Sequence, residues 1–174
     1  MALAQLKTLF GRYNNGAMSG IYDLFEPHKI RQEPPFTERV HGEFQNILAN
    51  GQKGLSVVRG LNFTNQHFCG LFISMLAYTS QRPVRLITRE FIENLHPRDL
   101  SRLFADAETS SHILLFDEAD SLFNQDAHYE NGDRLEVSYV HQLAIQHQGI
   151  TLFKFSHHET LAAIQHRITV LEIN

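Results

Sequence analysis

Two short segments carry the residue types that handle phosphate. Residues 112–123 read HILLFDEADSLF, so the apolar run Ile113 to Phe116 leads directly into Asp117 and Glu118. A carboxylate just past a buried strand can hold magnesium through water, because magnesium takes few carboxylates and keeps much of its hydration. A neighbouring glutamate can orient and deprotonate an attacking water. Upstream, residues 60–67 read GLNFTNQH, where the phosphate loop that partners such a strand would read G-x-x-x-x-G-K-[ST]. Gly60 matches the first glycine. Phe63 and Asn65 stand at later positions where glycine lets the backbone approach the phosphates. Gln66 replaces the lysine that reaches the β- and γ-phosphates, and His67 replaces the magnesium-binding hydroxyl. Gly60, Thr64, Asn65, Gln66 and His67 are therefore the positions a nucleotide would meet. Losing the lysine alone costs on the order of 3 kcal/mol of transition-state stabilisation, roughly a hundredfold in rate. The acids of a nucleotide-hydrolysing site are present and its phosphate grip is not.

The elements that must position these residues are read from periodicity. Phe36, Val40, Phe44, Ile47 and Leu48 share one face of a helix, with Asn50-Gly51 as its expected stop. Beyond it, short β-rich runs alternate with helical periods, the pattern of parallel βαβ units. The expected strands are Leu55–Arg59, Pro83–Thr88, Ile113–Phe116, Ile150–Phe155 and Ile168–Ile173. Helices between them follow from Phe68, Leu71, Phe72, Met75 and Leu76, from Leu100, Leu103, Phe104 and Ala107, and from Leu135, Tyr139, Val140 and Leu143. Residues 1–35 read as an N-terminal extension or linker, with Leu3, Leu6, Leu9 and Phe10 on one helical face. Residues 36–174 read as one core domain.

Composition narrows the class. A chain of 174 residues with 43% hydrophobic and 20% charged residues has the size and make-up of one soluble globular domain. The net charge of −4 argues against a general nucleic-acid surface. No apolar run approaches the ~20 residues that span a bilayer, so no membrane partner is expected. The single cysteine, Cys69, forms no internal disulfide and fits a reducing, cytoplasmic setting. Cys69 lies within an amphipathic period and reads as a small core residue. His141, His147, His157 and His158 match no standard zinc spacing and read as surface or loop histidines.

The stretch from Lys53 to Asn174 resembles the large nucleotide-binding domain of AAA+ ATPases. It is most similar to a bacterial group whose Walker B strand reads much like LLFDEADSLF, followed by a long acidic-basic insertion. KGLSVVRG (53–60), RLFADAETSSHILLFDEAD (102–120), GDRLEVSYVHQLAIQHQGITLF (132–153) and the stretch 156–173, ending in HRITVLEI, match in the same order. The resemblance implies a three-layer αβα sandwich around a five-stranded parallel sheet of P-loop type, in strand order 5-1-4-3-2. The chain stops after the fifth strand, before the family's helical lid. By resemblance, Asp117 is the magnesium-linked Walker B acid and Glu118 the catalytic glutamate. Arg167 falls near the arginine finger, in a stretch about two residues shorter than the family's. Ser156 falls near sensor 1, where the family has a longer polar amide. ATP and magnesium are the implied ligands, and a ring-forming AAA+ neighbour or a second copy the implied partner.

The expected function is an impaired pseudo-ATPase, serving as a structural or regulatory module in a protein-remodelling assembly. The alternative is a divergent but working ATPase. The intact Asp117-Glu118 pair supports it, and Arg59, Lys53 or Lys154 could bring charge from another direction. A third reading is a protein-interaction domain whose cleft is plugged by Phe63 and His67. The Asp-Glu-Ala-Asp string also occurs in RNA helicases, but the FSHHET that follows the next strand lacks their Ser-Ala-Thr motif.

Overall fold

Three runs, Val84–Ile87, Ile113–Phe116 and Ile150–Phe155, are buried along their whole length, as strands in the middle of a parallel sheet must be. The computed structural model describes residues 22–30, 35–93, 96–123 and 137–174. Within them, β1 (Asp23–Phe25), β2 (Val57–Phe63), β3 (Val84–Ile87), β4 (Ile113–Phe116), β5 (Ile150–Phe155) and β6 (Val170–Ile173) form one sheet in the order β1-β3-β4-β5-β2-β6. All pairings are parallel except that of β1, which runs antiparallel beside β3. The five parallel strands follow the expected 5-1-4-3-2 order, read from the β6 side. The sheet as a whole has six strands, not five. The extra one, β1, is too short to show a period and falls in the stretch read as linker, yet Tyr22, Leu24 and Phe25 are buried.

Helices cover both faces. On one lie α1 (Glu38–Gln52) and α2 (His67–Ser80), packed through Val40, Phe44, Ile47, Phe72 and Leu76 onto Leu61, Leu86 and Leu115. On the other lie α3 (Arg89–Glu93), α4 (Pro97–Ser110), α5 (Asp120–Phe123), α6 (Val137–Gln146) and α7 (His158–Ile164). Their apolar faces meet Ile87, Leu114, Phe116, Phe153 and Phe155. Alternate residues of each strand thus feed opposite layers. Aromatic rings join α4 to the sheet: Phe104 stacks on Phe116 at 5.9 Å, and Phe116 on Phe153 at 5.1 Å. Leu3, Leu6, Leu9, Phe10 and Leu135 lie outside the described residues.

Two boundaries move for physical reasons. Helix α1 runs through Asn50-Gly51 instead of stopping there, because Gly51 is where the helix touches β5; a Cβ at Gly51 would lie 2.7 Å from Ile150 Cδ1. The left-handed residue that ends the turn is Gly54, with φ of 70°. Strand β2 begins at Val57 and continues to Phe63, four residues past its expected end at Arg59.

Candidate functional site

The extension of β2 removes the loop. Gly60 pairs with Phe153 on one side and Val170 on the other, so it lies mid-strand instead of opening a phosphate loop. Its lack of a side chain has a packing cause: a Cβ there would lie 3.0 Å from Val170 Cγ2 and 3.2 Å from Phe155 Cε2. Phe63 closes the strand buried in the core, its ring edge-on to Phe72 at 5.7 Å. It therefore does not plug a cleft, and His67 is exposed.

Only Thr64, Asn65 and Gln66 connect β2 to α2. Their polar groups turn inward on the chain. Thr64 donates both its N–H and its hydroxyl to Ile173 O, each at 3.1 Å. Asn65 Oδ1 accepts from His67 N–H at 3.0 Å, and Asn65 O accepts from Phe68 N–H at 2.9 Å. Cys69 N–H donates to Gln66 O at 3.2 Å. These helix-start N–H groups are the ones a phosphate would otherwise engage. Gln66 is exposed and makes no side-chain capping bond.

At the end of β4 the two acids diverge. Asp117 N–H donates to Ile87 O at 2.8 Å, which fixes the strand end. The Asp117 carboxylate accepts from Lys154 Nζ at 2.8 Å and from Glu118 N–H at 2.9 Å, all at Oδ1. The pair is well inside the molecule, with side-chain exposures of 6% for Lys154 and 14% for Asp117. Burial disfavours the ammonium, but the Asp117 carboxylate, through its charge and hydrogen bond, and Glu118 behind it favour the ammonium, and the Lys154 pKa is raised above its ordinary value. Cys69, in the first turn of α2, is buried and its thiol is pushed up to about 11, chiefly by burial. It is a neutral core thiol. Glu118 is exposed with φ of 49°, a left-handed conformation uncommon for a residue with a Cβ.

The next acid in the string, Asp120, is buried and binds the end of β5. Its Oδ2 accepts from Ser156 N–H and its Oδ1 from His157 N–H, both at 2.9 Å. Ala119 N–H adds a bond to Lys154 O at 2.8 Å. The turn after β4 and the end of β5 are thereby locked together by backbone and side-chain bonds. Ser156 itself is exposed beside this clamp.

Glu118, Asp117, Ser156, Thr64, Asn65, Gln66 and His67 thus share the carboxyl-terminal edge of the sheet, where open α/β sheets bind ligands. Gly60 lies within the sheet. Arg167 lies at the opposite edge, just before β6, where its N–H donates to Ile164 O at 2.7 Å. The donor set does not fit hydrated magnesium bearing a phosphate chain. One oxygen of Asp117, Oδ1, already takes an ammonium and an N–H, and the connecting turn has no lysine. Among the described residues no group of three or more His, Cys, Asp or Glu could hold a metal ion. Of the three basic residues that could bring charge, Lys154 reaches the site, but from within the sheet and onto the acid. Its signal in the sequence is a lone lysine in the apolar run ITLFKF. Asp120 offered no signal apart from its place in the DEAD string.

The six-stranded, mostly parallel sheet between helical layers is the fold of an AAA domain. The AAA domain of FIGL-1 in complex with ADP superposes with a TM-score of 0.67 at 12% identity, over 99% of this chain and 62% of that one. A second structure of the FIGL-1 AAA domain gives 0.66 at 14% identity, over 97% and 60%. A katanin structure that explains its self-assembly gives 0.59 at 14% identity, over 78% of this chain and 50% of that one. The chain therefore spans between half and about three-fifths of the length of these structures. No protein-family model and no curated protein matches the sequence. Among the described residues no helix is long and apolar enough to cross a membrane.

Proposed function

We propose that this chain is a pseudo-ATPase domain, AAA-like in fold and impaired in catalysis, that acts as a structural or regulatory module in a protein-remodelling assembly. The observation that carries this reading is the Lys154–Asp117 ion pair. A magnesium ion binding at Asp117 would compete with a buried ammonium, and that ammonium would lose its ion-pair partner in a poorly solvated position. The inward bonding of Thr64, Asn65 and the first turn of α2 supports the same conclusion from the phosphate side. A site held by its own chain's bonds suits a scaffold in a larger assembly. Self-association of the katanin neighbour supports either a ring-forming AAA+ partner or a second copy as the associate. A single free thiol is compatible with a cytoplasmic setting.

The test is titration calorimetry with Mg-ATP together with a turnover assay on the purified chain. No turnover and no saturable heat are expected. Stoichiometric ATP binding that Gln66→Ala abolishes would sink the proposal.

One observation favours the alternative, a divergent working ATPase. Glu118 is retained, exposed, and held immediately after β4 as a water-activating base would be. The FIGL-1 neighbour carries ADP, which makes a nucleotide the ligand to try first. If Glu118→Gln abolishes measurable hydrolysis or traps bound ATP, this second reading replaces the first.

A further inference from the structure

Arg85 places a charge inside the sheet. It lies in β3, register-paired with Leu24 of β1 on one side and Leu114 of β4 on the other, and its side chain is 2% exposed. A guanidinium so far from water needs partners, and the neighbouring elements supply them. Nε donates to His112 Nδ1 at 2.8 Å, Nη1 to Asp106 Oδ2 at 2.8 Å and Nη2 to Ser110 Oγ at 3.4 Å. Asp106 and Ser110 belong to the last turns of α4, and His112 is tied to the same helix end by its N–H on Ala107 O at 2.9 Å. A further partner comes from the sheet's edge. Tyr22, directly before β1, is buried with its ring centroid 4.5 Å from the guanidinium carbon. A strand of three residues makes few ladder bonds, so β1 depends on side-chain contacts such as this one.

The bond at Nδ1 fixes the state of the imidazole. Arg85 Nε can only donate, so Nδ1 is the bare acceptor nitrogen and the ring proton sits on Nε2. A second proton at Nδ1 would set one N–H against another and a positive ring beside a positive guanidinium. We propose that Arg85 and His112 form a pH-sensitive latch on β1. Neutral His112 holds the guanidinium against Tyr22; protonated His112 releases it, and β1 leaves the β3 edge while the rest of the sheet stays paired. The groups around the imidazole fit this. Burial and then Arg85 oppose protonation, and Asp106 favours it but is already bound by Nη1. Glu108 of α4 is engaged elsewhere, on Gln148 N–H at 3.1 Å and 3.6 Å from His147. β1 turns Tyr22 and Leu24 to this face, which places Asp23 on the other. With β1 released, the imidazole is solvated and takes up its proton near the ordinary 6.5; with β1 in place it does so at lower pH. Opening is therefore suppressed above about pH 6.5 and grows below it, by at most about tenfold per pH unit. The latch lies at the start of β4, away from Glu118, and is independent of the pseudo-ATPase reading.

The experiment is amide hydrogen exchange of the full chain by NMR at pH 7 and pH 5, corrected for the intrinsic rates. Opening at residues 23–25 should rise in acid by several fold or more, ahead of any change at Leu115 and Leu152 in the middle of the sheet. His112→Asn keeps an acceptor for Arg85 Nε and does not titrate. It should preserve the protection of residues 23–25 at pH 7 and abolish their acid response, while the acid response of the core through His147 remains. Tyr22→Leu keeps an apolar side chain but removes the ring, and should raise the opening of β1 at pH 7. The imidazole nitrogen spectrum of the unaltered chain gives a measurement that needs no variant, and should show His112 with its proton on Nε2 at pH 7. A proton on Nδ1 instead would overturn the proposal. So would exchange at residues 23–25 that follows the sheet centre at both pH values, or an acid response that survives in His112→Asn.

Discussion

Lys154 Nζ stands 2.8 Å from Asp117 Oδ1, so the acid at the end of β4 is neutralised by a lysine of the adjacent strand. Lys154 is register-paired with Leu61 of β2, one residue past the Gly60–Phe153 pair, and its side chain lies on the α2 side near Cys69. A strand position that normally supplies an apolar residue here supplies a charge to the site's own acid.

Lys154→Met should therefore cost about 3 kcal/mol of folding stability, because it leaves a mostly buried carboxylate without its partner. Asp117→Asn in the same background should recover much of that loss. Urea unfolding of the two single variants and the double variant measures the coupling directly. Additive single losses would mean that the pair contributes nothing of its own.

Gly60→Ala should destabilise by about 1–3 kcal/mol, through overpacking against Val170 and Phe155. The companion change Val170→Ala should return part of this, because Val170 Cγ2 is the nearest atom to the new methyl group. A phosphate-loop glycine would respond differently, with nucleotide affinity falling and stability little changed. Thermal unfolding with and without Mg-ATP distinguishes the two.

This contrast shows where the sequence was legible. The five parallel strands follow from the alternation of apolar runs with helical periods, while their order came only from the AAA+ resemblance; Ile113–Phe116 and Ile150–Phe155 match residue for residue. The carboxyl-edge placement of Asp117 and Glu118 follows from the same pattern. The length of β2 was not legible, because Leu61 and Phe63 are apolar residues in what motif spacing marks as a loop, and only pairing to Lys154 and Ile173 makes them strand. The reason Gly60 is glycine was hidden too. Motif spacing assigned it to phosphate, whereas side chains of Phe155 and Val170, far away in sequence, fill the space. β1 needs its partner β3 to exist, and three residues carry no period.

Asp120→Ala should loosen the end of β5, since Ser156 and His157 N–H groups both lose their acceptor. Both residues are exposed, so water can replace the bonds and the global cost should stay near 1–2 kcal/mol. The local effect should be larger than the global one. Hydrogen exchange at the Ser156 and His157 amides is expected to accelerate well beyond what the drop in global stability allows. Parallel changes at these amides and in the core would show that Asp120 is not a local clamp.

Acidification should destabilise the protein through His147. This residue follows α6, is 2% exposed, and packs edge-on to Phe104 at 5.5 Å. Among the described residues neither ring nitrogen has a hydrogen-bond partner, and Glu108 Oε2 is 3.6 Å from Nδ1. Burial pushes the His147 pKa below its ordinary 6.5, with Glu108 opposing in part. His112 shifts the same way, through burial and then through Arg85, with Asp106 opposing. In the unfolded chain both imidazoles take up protons near their ordinary value, before the folded protein does. Stability is therefore full above about pH 6.5 and falls as the pH drops toward the folded pKa, by at most about 1.4 kcal/mol per pH unit for each group. His147→Phe keeps an aromatic ring beside Phe104 and removes the titration. Whatever its effect on packing, it should flatten the dependence of the urea midpoint between pH 7 and pH 5, leaving the share from His112. An unchanged slope would show that His147 does not carry the acid sensitivity.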